Sequence, residues 1–244
     1  MSKSKKNNFH MNILKRAIKQ QESLELLWAE YYKLSISDKP WLKSLPLYPG
    51  RWAGNFAYFY LLNRVLTNIK PKNILEFGMG QSTRFINSFL ENELLDSKHT
   101  VVEHDQEWID FFLLENTLSN RVTIEKLDLI TKDYDGYTVP AYNLDGFKSI
   151  NTRNDFNTYD LIIVDGPFGS NKNFSRTDIL KLIEDKPEKF DNSIFIIDDT
   201  HRKGELNTLK RLVDLKSGYL MESYHGSSSV GIAVPEKLKF LLSL

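Results

Sequence analysis

The chain has 244 residues, 41% of them hydrophobic, with 32 basic and 32 acidic side chains and a formal net charge of zero. That length and apolar content allow one large α/β domain, or a medium domain with an extension, and argue against global disorder; the neutral balance argues against nucleic acid as a partner. With no cysteine, disulfides, zinc–thiolate sites and thiol nucleophiles are all excluded.

The N-terminus, "MSKSKKNNFH", is basic and lacks the apolar core of a signal peptide, so it reads as a solvated tail. No apolar run is long enough to span a membrane, and a cytoplasmic location is expected. Residues 10–36 carry Ile13, Leu14, Ala17, Ile18, Leu24, Leu27, Trp28 and Tyr31 close to helical spacing. After a loop with three prolines, a second, aromatic-rich helix runs from about Trp52 to Asn68. The organisation expected is a tail and helical extension over 1–49 and one domain over 50–244.

From Asn73 onward strands and helices alternate. Strands are expected at 73–76, 100–103, 122–126, 160–165, 193–198, 219–224 and 229–234, and helices at 81–92, 106–116, 175–185 and 203–216. This order predicts an α/β fold, a mainly parallel seven-stranded sheet covered by helices on both faces. The last two strands, on either side of "GSSS", read as an antiparallel hairpin. Residues 129–158 interrupt the alternation and read as either a surface excursion or a lid.

In such a sheet, ligands bind beyond the carboxyl ends of the strands. There the chain places Glu76 and a turn with Gly78 and Gly80; Glu103, suited to accept from both ribose hydroxyls; Asp128, suited to an exocyclic adenine amine; Asp165; and Asp198 with Asp199, followed by His201 and Arg202. Any one of these acids could be an ordinary helix cap. Five successive strand ends carrying acids need a ligand, cation or water to offset their repulsion.

The motifs "ILEFGMGQST", "VVEHD", "DLIIVDGP" and "FIIDD" resemble those of the class I S-adenosylmethionine-dependent methyltransferases over about residues 50–235. Within that class "EFGMGQST", "EHDQEW" and "VDGPFG" are most similar to the sugar and glucuronoxylan O-methyltransferase group. The resemblance implies a Rossmann-like methyltransferase fold with S-adenosylmethionine as cofactor. Glu76 would orient its methionine amine, with backbone from Phe77 to Gly80 along the chain and Ser82 and Thr83 toward the carboxylate. Glu103 would take the ribose, His104 would lie against adenine, and Asp128 would read its amine.

Tyr48, Arg51, Trp52, Arg176 and Arg202 combine aromatic faces with guanidinium groups, which suits a sugar or glycan acceptor carrying a carboxylate or phosphate. A hydroxyl acceptor needs help to lose its proton. Two designs fit: Asp165 or His201 as base, or Mg²⁺ or another divalent ion held by Asp165, Asp198 and Asp199. The metal-dependent small-molecule O-methyltransferases have Asn where this chain has Asp199, and an ion would relieve the repulsion of three clustered carboxylates.

Three rivals stand beside this reading. A nicotinamide-binding oxidoreductase would want glycine at Thr83. An amino-methylating nucleic-acid enzyme would not have Gly166 before Pro167. A non-catalytic relative would have little reason to keep every acid.

Overall fold

The computed structural model describes residues 3–50, 54–151 and 158–243. Three helices precede the sheet: α1 (Lys3–Ser35), the single turn α2 (Pro40–Lys43) and α3 (Phe56–Ile69). The first therefore reaches further toward the N-terminus than its apolar spacing predicts. α3 begins where the Asn55 side chain accepts the Tyr58 N–H at 2.9 Å, a standard cap for otherwise unpaired helix donors. It ends at Lys70 in the left-handed region, φ 51°. Trp28, Tyr32 and Ile36 at the end of α1 and beyond are buried in the core that α3 shares.

The main sheet contains β1 (Asn73–Phe77), β2 (Lys98–Glu103), β3 (Val122–Lys126), β6 (Leu161–Val164), β7 (Ile194–Ile197), β8 (Tyr219–His225) and β9 (Ser229–Pro235), in the order β3-β2-β1-β6-β7-β9-β8. The first five in that order are parallel; β9 is antiparallel to both β7 and β8. Helices α4 (Gln81–Asn92), α5 (Gln106–Glu115), α7 (Asp178–Asp185) and α8 (Lys203–Leu215) connect the strands, together with the single turn α6 (Lys148–Asn151). The chain turns one way from β1 to β2 and the other way from β1's second neighbour, β6, so the order reverses beside β1. That reversal marks where a ligand site is expected.

Strand periodicity sorts the core into two layers. Ile74, Leu161, Ile163, Ile194 and Ile196 pack with α3 and α4, while Leu75, Phe77, Ile162, Val164, Phe195 and Ile197 pack with α7 and α8. Continuing the alternation past the strand ends puts Glu76, Asp165 and Asp198 on the α3 side.

Two expectations change. The interruption at 129–158 contains an antiparallel hairpin, β4 (Leu129–Tyr134) and β5 (Tyr137–Tyr142). Its turn, Asp135-Gly136, has φ 51° and 77°, the two positive values that a tight hairpin turn requires. The helix expected over 175–185 starts only at Asp178, because Arg176 is held in the left-handed region at φ 54°. Among the described residues no helix is long and apolar enough to cross a membrane.

Candidate active site

The turn after β1 is built by its two glycines in different ways. Gly78 has φ 93°, and a Cβ there would lie 3.0 Å from the Asp165 backbone, so only glycine allows the first and fourth parallel strands' loops to cross so closely. Gly166 faces the same crossing: a Cβ on it would meet the Gly78 backbone at 2.9 Å. At Gly80, by contrast, a Cβ would meet nothing within 4 Å. The open space of the turn is there.

Carboxylates fix this turn from below. Glu103 Oε2 accepts the Met79 N–H at 3.0 Å, and its Oε1 accepts the His104 and Asp105 N–H groups at 2.6 and 3.1 Å. Trp108 Nε1–H donates to the Met79 carbonyl at 2.7 Å. Thr83 Oγ1 accepts the Gly80 N–H and donates to Glu76 Oε2 at 2.8 Å. His99 Nε2 lies 3.0 Å from that same Glu76 oxygen, both side chains being fully buried. Glu76 Oε1 is left buried without a partner.

Among the other buried atoms that share that condition are the Tyr58 hydroxyl and Asp198 Oδ1. Burial pushes the Tyr58 phenol well above its ordinary pKa, and the nearby charges of Glu76, Asp165 and Asp198 push the same way. Ser82 is its neighbour, but no hydrogen bond of good geometry satisfies the phenol oxygen. Tyr58, Glu76 and Asp198 thus converge with their polar atoms unspent, each orphan costing about 1–3 kcal/mol until something pairs with it.

Beyond β6 and β7 lies a cluster of four acids and two arginines. One oxygen from each of Asp165, Asp198 and Asp199 falls within 4.8 Å of the others. Arg176 Nη2 is 3.1 Å from Asp165 Oδ1 and 3.3 Å from Asp199 Oδ2. The same guanidinium donates from Nε to the Pro167 carbonyl and from Nη1 to the Asp198 carbonyl, both at 3.2 Å. Arg202 Nη1 is 3.1 Å from Asp199 Oδ2 and 3.4 Å from Glu205 Oε1. Burial raises the Asp165 pKa to about 6, although its side chain keeps 27% of its surface, and the charges of Asp199 and Glu76 add to the effect while Arg176 opposes it. Burial, with Asp165 and Asp199, raises Asp198 well above the ordinary carboxylate range.

The remaining expected residues are more scattered. Phe77 is buried against Tyr142 and Phe147 on the α7 side. The His104 ring has Phe168 at 5.4 Å and Tyr142 at 6.2 Å, both edge-on, and Phe168 is 62% exposed. Asp128 is exposed and its carboxylate is held below the ordinary range by its bond to Lys126. Tyr48 is 73% exposed, anchored by its backbone to the Gln81 side chain. His201 is 45% exposed with Nδ1 3.8 Å from Asp199 Oδ1. Arg51 and Trp52 lie outside the described residues. The structure brings Glu76, Ser82, Thr83, Asp165, Asp198, Asp199 and Arg176 together; it gives Asp128 and Tyr48 no contact with that group.

Sequence reasoning misses Tyr58, His99, Trp108, Phe168 and Glu205. Tyr58 sits in an aromatic run where it looks like any core residue, and His99 meets Glu76 only through the β1–β2 pairing. Neither has a local signal.

A protein-family model does not match this sequence, nor does any curated protein. Solved structures do. The O-methyltransferase TomG from Streptomyces achromogenes, in complex with SAM, superposes with a TM-score of 0.54 at 12% identity, over 89% of this chain and 97% of that one. An O-methyltransferase from Bacillus cereus, in complex with SAH, gives 0.50 at 15% identity, over 84% and 90%. The fold is the Rossmann-like methyltransferase fold. At these identities the likeness is one of architecture, so the chemistry has to be argued from the residues.

Two groups that such a fold can hold fare differently. S-adenosylmethionine fits: Gly80 leaves room, Glu76 Oε1 is an unpaired acceptor for an ammonium, and Tyr58 is an unpaired hydroxyl. A divalent ion does not fit. The Arg176 guanidinium already bridges the carboxylates of Asp165 and Asp199, and it is 5% exposed and pinned by two carbonyls. The carboxylates thus already share a fixed positive charge, which an incoming ion would have to displace or repel.

Proposed function

We propose that this protein is an S-adenosylmethionine-dependent O-methyltransferase. The observation that carries the reading is the convergence of three buried, unpaired polar groups, those of Tyr58, Glu76 and Asp198, beside the open turn at Gly80. Buried polar groups are normally paired, so three that converge without a partner point to a polar ligand that completes them.

In this reading Glu76 Oε1 receives the ammonium of the methionine end, and Thr83 holds its other oxygen, with His99 Nε2 3.0 Å from it, so that the carboxylate cannot turn away. Glu103 keeps the glycine turn in shape through Met79 and presents its remaining acceptor capacity to the ribose hydroxyls. His104 and Phe168 supply an apolar wall for the adenine. The bound cofactor supplies an electrophilic methyl on a sulfonium. Asp165 takes the acceptor's proton: a carboxyl titrating at about 6 is a better base near neutrality than an ordinary aspartate. Arg176 fixes that carboxylate through Oδ1, and His201 stands further out beside Asp199.

The acceptor is a hydroxyl of a small molecule or glycan. The acidic character expected from the sequence loses support, because Arg176 and Arg202 face the protein's own carboxylates and Tyr48 stands apart from them. Titration calorimetry with S-adenosylmethionine, S-adenosylhomocysteine and NADH tests the reading. Binding of the first two and not of NADH is expected; tight NADH binding alone would overturn it.

A further inference from the structure

Arg176 is an unusual residue for its position. It is a non-glycine residue in the left-handed region, φ 54°, a conformation that persists only when its surroundings enforce it. The enforcement is visible. Its guanidinium meets the Pro167 carbonyl after β6, the Asp198 carbonyl after β7, and the carboxylates of Asp165 and Asp199. Its Nε also lies 3.9 Å from Glu205 Oε1 on α8. Asp199 too is left-handed, φ 63°, which turns its carboxylate back toward Arg176 and Arg202. Two backbone distortions therefore serve one contact.

We infer that Arg176 is the built-in cation of this site, standing where a divalent ion would bridge Asp165 and Asp199, so that the protein works without a metal. Its Nη2 occupies the gap between the two carboxylates, and its planar fork satisfies two carbonyls at once, which a lysine could not do. Arg176 is a positioning residue here: it touches the base and not the reacting atoms. It sets the direction of Asp165, and it replaces the cation whose need the acid cluster implies. The consequence for catalysis rests on the methyl-transfer reading; the exclusion of an ion does not.

The test is manganese binding, followed by electron paramagnetic resonance on the full chain without cofactor or acceptor. The wild type is expected to show no stoichiometric Mn²⁺ site below millimolar concentration. Arg176→Gln, neutral and of similar length, should gain one site at least tenfold tighter, and adding Asp199→Asn should abolish the gain. Arg176→Lys, which keeps the charge, should again exclude the ion. A merely structural arginine would not produce this pattern. Overturning results are a single micromolar site in the wild type that Asp198→Asn removes, or a folded Arg176→Gln protein that gains none. If Arg176→Gln does not fold, the wild-type titration decides with Asp198→Asn: a stoichiometric site that this substitution removes refutes the inference, and its lack upholds it. Calorimetry with S-adenosylmethionine on the same wild-type sample separates the two readings, since failure there removes the methyl-transfer proposal and leaves the manganese result standing.

Discussion

Tyr58→Phe removes one oxygen from the centre of the proposed cofactor site and leaves the ring, which is 1% exposed and packed edge-on against Phe59 at 5.3 Å. In the free protein that oxygen is buried with no hydrogen bond, so its removal relieves a desolvation cost of about 1–3 kcal/mol. No cavity larger than a hydroxyl is created. A chain of this size gains about 2–4 °C in Tm per kcal/mol, so the free variant should melt about 4–8 °C higher for a gain of about 2 kcal/mol. The cofactor, in contrast, loses a hydrogen bond worth about 1 kcal/mol, and its Kd should rise about five- to tenfold. Scanning calorimetry without ligand and titration calorimetry with S-adenosylmethionine measure the two effects. Their opposite signs are the point: a core tyrosine with a hidden partner would lose stability and leave binding alone. If the free variant is destabilised and its Kd is unchanged, Tyr58 is not part of a ligand site.

Thr83→Val should cost about 1–2 kcal/mol in urea unfolding, the usual value of a lost cap, because its hydroxyl serves both the Gly80 N–H and Glu76; it should also weaken S-adenosylmethionine binding by loosening Glu76. Glu103→Gln keeps the shape but swaps one acceptor oxygen for an amide, and is expected to weaken binding about tenfold, in line with a charge-assisted bond; an unchanged Kd would remove Glu103 from the site. Asp178, buried at the start of α7, has its pKa raised by burial to about 7, and its Oδ1 accepts the Tyr142 N–H at 3.0 Å. The native protein thus holds a proton that the unfolded chain releases near pH 4, so this group's contribution to stability falls as pH rises from about 4 to about 7. The gap corresponds to about 4 kcal/mol. Asp178→Asn should accordingly gain on the wild type between pH 4.5 and pH 8, to be measured by urea unfolding at both; a constant difference would show that Asp178 does not titrate in that window.

The sequence determined the architecture and marked the place of the candidate site. Runs such as Leu161–Val164 and Ile194–Ile197 are apolar throughout because parallel strands are buried on both faces, and the acids that stop them mark the carboxyl ends. Glu76, Glu103 and the two glycines were legible for that reason, since a glycine turn and a strand-end acid are local features. The hairpin in the interruption carries its own signal, Asp135-Gly136 within an alternating stretch, which is obscured by the length of the polar segment around it. The tertiary structure alone decided how the charges are spent. Arg176 reads as a surface residue facing an acceptor, yet it closes on Asp165 and Asp199, which lie on loops after two different strands. Tyr58 reads as core, yet alternation along β1, β6 and β7 turns Glu76, Asp165 and Asp198 toward it on the α3 side of the sheet. Periodicity reports which face a residue takes on its own element. Which charge it meets depends on where separate elements cross, and a buried ion pair is set by a few ångströms that no spacing in the chain encodes.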